Sequence, residues 1–266
     1  MSDKPLTMQD IFEKNTDLDA EIDYRNAIRH LLREACVRHE INKPMEEQLW
    51  RRDPIGSFYH YMFGTHPAEK ESNQLISESI HDDANATIRA NNTASQFYDY
   101  ISGYRHAADA LVMNAMITGN ENYRSSSAFP ICFLYRQYLE LTLKDMYLYY
   151  SADSEEDKDG YIKRTNHNLW HVWENKVVPM VKPLLQCKRQ VDESKIAEGY
   201  IKELQDLDPD SYVFRYPIKK NRDRYHKVSK KINLPGLMKK MNELEKFIAF
   251  TSALLDINKM RRDGKI

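Results

Sequence analysis

The stretch FLYRQYLELTLKDMYLYY, residues 133–150, most constrains the fold, because its apolar side chains cover nearly every face of a helix. A helix that is apolar on all sides is normally buried by the elements around it. One stripe of this helix is nevertheless charged, since Arg136, Glu140 and Lys144 follow one another at i, i+4 spacing. The sequence therefore predicts a central helix that carries charged groups into the interior of the protein.

The remaining pattern predicts an all-α protein. Apolar residues recur close to a 3.6-residue period, and the 266 residues include only 8 Gly, which argues against a β-rich fold. Four helices are expected over residues 17–41, 67–91, 93–118 and 191–206, and the pattern of the second is weaker. Three more are expected from Ser125–Ser127 to about Tyr150, from Asn166 or Asn168 to near Pro183, and from Pro235 to about Met260. Residues 151–160 are expected to form an acidic loop, and Tyr212–Phe214 a short strand-like run.

The predicted organisation is an N-terminal helical region, residues 1–90, followed by a helical core, residues 91–266. The 39 Lys+Arg residues balance the 40 Asp+Glu residues, so a contact with nucleic acid or a membrane would need a local patch. No apolar run approaches the roughly 20 residues that a membrane-spanning helix needs. The short apolar runs predict a protein without membrane contact. Cys36, Cys132 and Cys187 are odd in number and lack CxxC spacing, which predicts free thiols in a cytoplasmic protein.

The charged stripe has two interpretations. In the first, Arg136 and Glu140 neutralise each other and fix the register of the helix, because an unpaired ion in a dry interior costs several kcal/mol. In the second, they line a cleft between helices and meet a phosphate or hydroxyl group of a ligand.

Two other stretches contain candidate partners for that stripe. In RTNHNLWHVWE, residues 164–174, the segment Asn166–Asn168 lies at a predicted helix start, where backbone N–H groups favour an anion. In SYVFRYP, Arg215 lies among aromatic residues, as if its guanidinium were presented to a ligand. The alternative is an arginine that caps a helix end or pairs with Asp210.

A metal site is the alternative for the first of these stretches. On a helix, His167, His171 and Glu174 would share one face at i, i+4, i+7 spacing. The chain has no HExxH motif and no obvious fourth ligand, so we predict neither a metal nor another cofactor.

Residues 215–231 form a basic segment with eight Lys/Arg residues and one Asp, interleaved with Tyr216 and Tyr225. Basic side chains between aromatic rings suit an RNA backbone with splayed bases. A solvated basic loop is the alternative.

Three motifs together resemble a bacterial helical family. FPICFLYRQYLELTLK resembles the family pattern FLYRH-x-LEL-x-LK, and HNLWHVW resembles GH-x-L-x-x-LW. DPDSYVFRYP resembles S-x-x-FRYP. The segment YRHAADALV, residues 104–112, fits the helix that precedes these motifs in the family. The resemblance covers roughly residues 93–220. Gln137 stands where the family pattern has a His after the arginine.

More distantly, the layout is similar to HEPN domains, helical bundles whose active members are metal-independent ribonucleases with an Arg and a His four to six residues apart, usually across a dimer. This spacing occurs here at Arg25–His30, Arg33–His39 and Arg164–His171. The resemblance implies a HEPN-like core and a homodimeric, RNA-acting protein of a bacterial defence or stress system, either an endoribonuclease or a toxin.

The candidate residues follow from the motifs and the resemblance together. We predict catalytic roles for Arg136, Glu140, His167 and His171, and ligand-binding roles for Arg164, Asn168, Arg215 and Tyr216. The alternative function is a non-catalytic scaffold subunit of a defence complex that binds RNA, a nucleotide or a protein partner. A third interpretation is that the charged stripe is purely structural.

Overall fold

The computed structural model of the chain describes residues 86–88, 93–225 and 230–265. The helix expected over 17–41 and the Arg25–His30 and Arg33–His39 pairs lie outside these ranges. Residues 86–88, the described part of the helix expected over 67–91, have no regular structure.

Helices are the regular elements of the described ranges, which confirms the predicted all-α class there. A single isolated antiparallel bridge, Ile218–Arg224, is the only β pairing in this part of the chain. The helices are α1 (Thr93–Thr118), α2 (Glu121–Tyr150), α3 (Glu155–Thr165), α4 (Leu169–Val172), a π-helix (Trp173–Val177), α5 (Val178–Val181), a 3₁₀ turn (Lys182–Leu184), α6 (Lys188–Leu207) and α7 (Leu234–Arg262).

The start of α2 was predicted wrongly. The sequence places the cap at Ser125–Ser127, so that Pro130 would fall in the first turn, whereas the helix begins at Glu121 and contains Pro130 in its interior. The reason is the Asn120 side chain, whose Oδ1 accepts a hydrogen bond from the Tyr123 amide at 3.1 Å. Gly119 has a φ of 65°, and it ends α1 as expected.

The acidic loop expected at 151–160 is also wrong, because α3 occupies most of it. Ser154 caps this helix, and its side chain accepts a hydrogen bond from the Asp157 amide. The acidic side chains of Glu155, Glu156 and Asp157 fill the first turn, where the helix dipole favours negative charge. The same residues that made the segment look solvated therefore stabilise a helix.

The expected helix to Pro183 forms, but it contains a wide turn. The Val178 amide donates to the carbonyl of Trp173, five residues back, which defines a π-helical turn. Pro179 follows immediately and has no N–H to donate, so a regular i to i−4 ladder cannot continue through it.

The strand-like run expected at Tyr212–Phe214 is absent, because this part of the chain turns repeatedly. The amides of Arg215 and Tyr216 both donate to the carbonyl of Tyr212, and Ser211 has a φ of 61°. Asp208–Ser211 form a turn, in which the Ser211 amide donates to the Asp208 carbonyl at 3.4 Å.

The described residues fall into two compact units. Thr87–Val112 and Ser125–Ile266, within the described ranges, belong to the larger one, and Met113–Arg124 belongs to the other. The predicted division near residue 90 stays a prediction. In the Met113–Arg124 unit, the Asn114 side-chain amide donates to the Tyr123 hydroxyl at 2.6 Å.

In the larger unit, α2 is a central element, since its buried residues lie on several faces of the helix. Helix α6 packs against α4 and α7, and α7 also packs against α5. Cys132 is a buried free thiol and Cys187 an exposed one. Of the helices described, none has the length and apolar character needed to cross a membrane.

A buried arginine joins α1, α2 and α7. The Arg105 guanidinium on α1 donates to Asp109 and to Asn242 on α7. It also lies over the ring of Tyr135 on α2, 5.3 Å from the ring centroid. The Tyr135 hydroxyl donates to the Asp109 carboxylate at 2.6 Å, so Asp109 accepts from both Arg105 and Tyr135.

Candidate functional site

The site is built around the side chain of Arg136, which is 0% exposed. Its three nitrogens donate to acceptors from three parts of the chain. Nη1 donates to Glu140 Oε2 at 2.9 Å, Nη2 to the His167 carbonyl at 2.6 Å, and Nε to the Asp208 carbonyl at 2.9 Å. The guanidinium therefore attaches the α3–α4 loop and the loop after α6 to the middle of α2.

The Glu140 carboxylate, 3% exposed, connects three cationic or titratable groups. Besides Arg136, it accepts from Lys144 Nζ at 2.6 Å and lies 3.0 Å from His167 Nδ1. Burial alone would raise the pKa of Glu140, but Lys144, then His167 and Arg136, outweigh it and hold this pKa below its usual range. The carboxylate is therefore ionised at neutral pH.

Local backbone geometry places the imidazole of His167. Asn166 ends α3 in the left-handed region, with a φ of 51°, and its carbonyl accepts from Lys144 Nζ at 2.9 Å. Asn168 then begins α4, and its side-chain oxygen accepts from the His171 amide at 2.8 Å. His167 lies between these two turns with 43% of its side chain exposed. One ring nitrogen faces the buried carboxylate, and part of the ring is exposed to solvent.

The second loop is tied to the first through Gln205 and Asp208. Gln205 Oε1 accepts from the Leu169 amide at 2.7 Å, and its Nε2 donates to the Pro209 carbonyl at 2.9 Å. Asp208 is 0% exposed, and its Oδ1 accepts from the Val213 amide at 3.0 Å. Asp208 Oδ2 has no hydrogen bond in the described ranges and lies 3.7 Å from Arg136 Nε.

Arg215 lies on this second loop, with its guanidinium at the protein surface. Its Nε donates to the Ser211 carbonyl. The guanidinium carbon is 4.8 Å from the ring centroid of Tyr212, and 5.7 Å from those of Tyr216 and Phe133. Tyr212 is 40% exposed and Tyr216 50% exposed. We call Tyr212, Arg215 and Tyr216 the arginine–tyrosine surface.

The structure brings some of the predicted site residues together and leaves others apart. Arg136, Glu140 and His167 are in direct contact, and Lys144 joins them. His171 does not take part: its ring stacks on Tyr161, with 5.6 Å between the ring centroids. Of the alternatives for Arg215, the pairing with Asp210 does not form, and Arg215 Nε donates to the Ser211 carbonyl instead.

Two candidate ligand-binding residues have other surroundings. Arg164 is exposed in the last turn of α3. The side-chain oxygen of Asn168 is occupied by its capping bond.

The geometry required for the alternative metal site does not form. His167 precedes α4, so it does not share a helix face with His171 and Glu174. The described ranges contain no group of three His, Cys, Asp or Glu residues placed to hold a metal ion.

Asp208 and Gln205 were not identified from the sequence. Both use side chains to hold backbone groups of loops, and such contacts leave no periodic signal. A buried arginine with one carboxylate on its own helix does indicate further acceptors, because a guanidinium has five N–H groups. Asp208 supplies one of these acceptors with its backbone carbonyl, and its carboxylate lies 3.7 Å from Arg136 Nε.

The arrangement provides two separate chemical capabilities. The buried Glu140 carboxylate orients a partly exposed imidazole, an arrangement that suits proton transfer to or from a bound ligand. The arginine–tyrosine surface presents a cation and two aromatic faces, which suit a phosphate and an unstacked base.

Comparison of the chain with known protein families, with curated proteins and with solved structures finds no match. The relationship to HEPN domains therefore stays a prediction from the motifs.

Proposed function

We propose that this protein acts on single-stranded RNA as an endoribonuclease that needs no metal, with His167 as its general acid–base group. The observation that carries the proposal is the half-exposed imidazole held 3.0 Å from the buried carboxylate of Glu140. A HEPN-like core and a role in a bacterial defence or stress system, as a homodimer or with a protein partner, belong to the same proposal and depend on the motifs.

The chemistry that this dyad would perform is an internal transesterification. His167 takes the proton from a ribose 2′-hydroxyl, and the 2′-oxygen attacks the adjacent phosphorus. The bond from phosphorus to the 5′-oxygen breaks, and the imidazolium returns its proton to that oxygen. The products are a 2′,3′-cyclic phosphate and a 5′-hydroxyl. Glu140 keeps the imidazole oriented, with one carboxylate oxygen 3.0 Å from His167 Nδ1.

Two arginines have different tasks in this proposal. Arg136 has no exposed surface and its three nitrogens are engaged, so it positions the two loops and does not contact the phosphate. Arg215 has an exposed guanidinium, so it is the candidate that binds the phosphate. The arginine–tyrosine surface would stack one base and so favour unpaired RNA.

The test is cleavage of an end-labelled single-stranded RNA by the purified chain in the presence of EDTA. We expect His167→Ala to lower the cleavage rate by about 100-fold or more, which is typical of losing a general acid–base group. His106→Ala, which removes an exposed histidine of α1, is the matched control and should cleave at the wild-type rate. Wild-type activity in His167→Ala would remove the mechanism.

A second candidate function is binding of RNA without cleavage. The arginine–tyrosine surface favours this candidate, because the exposure of Arg215, Tyr212 and Tyr216 does not depend on a catalytic role of His167. In this case Arg215→Ala weakens binding of the RNA, while Arg189→Ala, an exposed arginine on α6, leaves it unchanged. Binding that depends on Arg215, with no cleavage by the wild-type chain, would select this candidate.

A further inference from the structure

A cleft of about 430 Å³ lies between α1, α2 and α7, within the larger unit. Its volume is in the range typical of sites for small molecules. Three tyrosines contribute to its walls: Tyr98 from α1, and Tyr149 and Tyr150 from α2. Tyr98 is 71% exposed and Tyr149 51% exposed, so the rings are accessible from solvent.

Two carboxylates line the same cleft, and they differ in their surroundings. Asp256 on α7 lies beside the Tyr150 hydroxyl. Asp145 on α2 is partly buried. Its carboxylate has no hydrogen bond or ion pair with any residue of the described ranges. Burial raises the pKa of Asp145, because the charged carboxylate loses water and gains no cation in return. The cleft thus contains a carboxylate without a counter-ion.

The aromatic walls also suit a cation. Tyrosine rings attract ammonium groups through the negative potential of their faces. One such contact already exists beside the cleft, where Lys259 Nζ lies 3.6 Å from the ring centroid of Tyr149. That ammonium donates to the Tyr149 carbonyl, and not to Asp145 or Asp256.

We propose that this cleft binds a small organic cation with an ammonium group, for which Asp145 is the counter-ion and the tyrosine rings are the walls. The aromatic walls favour an organic ammonium over a metal ion, which would require several oxygen ligands. The site is separate from His167, since Asp145 follows Lys144 in sequence and is turned by roughly 100° around α2. The proposal does not depend on the proposed action on RNA.

The test uses the full chain and isothermal titration calorimetry with 1,4-diaminobutane at low ionic strength. We expect saturable binding of the diamine and none of 1,4-butanediol, a neutral probe of similar length. Magnesium chloride at the same ionic strength distinguishes an ammonium site from a general attraction of cations. No saturable binding of the diamine up to roughly 10 mM would overturn the proposal, and so would equal binding of the diol or of Mg²⁺.

Two variants assign the binding to this cleft. Asp145→Asn should weaken diamine binding by about ten-fold, because it removes the charge and keeps the shape. Asp192→Asn, an exposed aspartate of α6 outside the cleft, is the matched control and should bind as the wild type does. Circular dichroism melts show whether each variant is folded. A folded Asp145→Asn chain that binds with unchanged affinity would also overturn the proposal.

Discussion

Arg136 is a buried cation whose acceptors include one carboxylate oxygen and two backbone carbonyls. Because the arginine side chain has no exposed surface, water would have to enter the interior to replace any of these acceptors. A buried ion pair often contributes little net stability compared with apolar groups of the same size. Here the bonds to the His167 and Asp208 carbonyls add a second role, which is to fix two loops against α2.

We expect Arg136→Met to lower the free energy of unfolding by about 3–5 kcal/mol, because it leaves Glu140 partly uncompensated and the His167 carbonyl without its donor, while the Asp208 carbonyl keeps only the Ser211 amide. Urea denaturation followed by circular dichroism measures the change. The double variant Arg136→Met, Glu140→Leu should recover only part of the loss, since the His167 carbonyl still lacks its donor. A double variant as stable as the wild type would mean that the stripe is a simple internal ion pair.

The depressed pKa of Glu140 predicts how stability depends on pH. A carboxylate whose pKa is lower in the folded chain stabilises it above the pKa of the unfolded state, and this contribution is lost as pH falls through the folded pKa. Glu140→Gln should therefore destabilise most at neutral pH, and its difference from the wild type should shrink below about pH 4.3. Urea midpoints measured from neutral to acidic pH test this. Glu198→Gln, at an exposed position of α6, should show little difference at any pH.

At the scale of elements, the cap of α4 has consequences for the site. Asn168 begins this helix directly after His167, and its side chain accepts from the His171 amide. We expect Asn168→Ala to lower the free energy of unfolding by about 1 kcal/mol, the usual effect of losing an N-cap. Asn168→Asp keeps an acceptor at the helix start and should be close to the wild type. Equal stability of the Ala and Asp variants in thermal or urea unfolding would contradict the role of the cap.

Helix α1 depends on Arg105 for its attachment to α7. The arginine is 5% exposed in its side chain, whereas its partners Asp109 and Glu245 are 21% and 50% exposed. Because solvent screens the carboxylates, Arg105→Met should cost about 2–3 kcal/mol, less than a fully buried pair would. Hydrogen exchange of the α1 amides should increase in this variant. His106→Met, at the exposed neighbouring position, should leave the exchange unchanged.

The bounds of these helices could be predicted where hydrophobic periodicity or a single capping residue determines them. They could not be predicted where contacts between residues distant in sequence determine the structure. Gly119 marks the end of α1, and Pro235 lies in the first turn of α7, so those bounds follow from local signals. The π-helical turn was not predicted, because the periodic pattern through Trp173 looks the same in both kinds of helix. The contacts of Asp208 were hidden for another reason, since its carboxylate holds the Val213 amide of its own loop and its carbonyl accepts from the Arg136 side chain, 72 residues away.

At the scale of the whole molecule, the charges balance, so any attraction of RNA must come from a local surface. In the described part of the second loop, Arg215, Lys219, Lys220, Arg222 and Arg224 are exposed. If about three of them contact phosphates, the logarithm of the binding constant should fall with the logarithm of salt concentration with a slope of about −2. Fluorescence anisotropy at several salt concentrations measures this slope. Arg215→Ala should make it shallower by about 0.7, and an unchanged slope would place the RNA elsewhere.

The bond from Arg136 to residue 167 ends on a carbonyl that every amino acid possesses. A library that randomises residue 167 should consequently yield many folded chains, whereas one that randomises residue 136 should yield few. An engineered variant could therefore carry a different reactive group at position 167, next to the buried Glu140 carboxylate, and still keep the Arg136 bond that holds the loop.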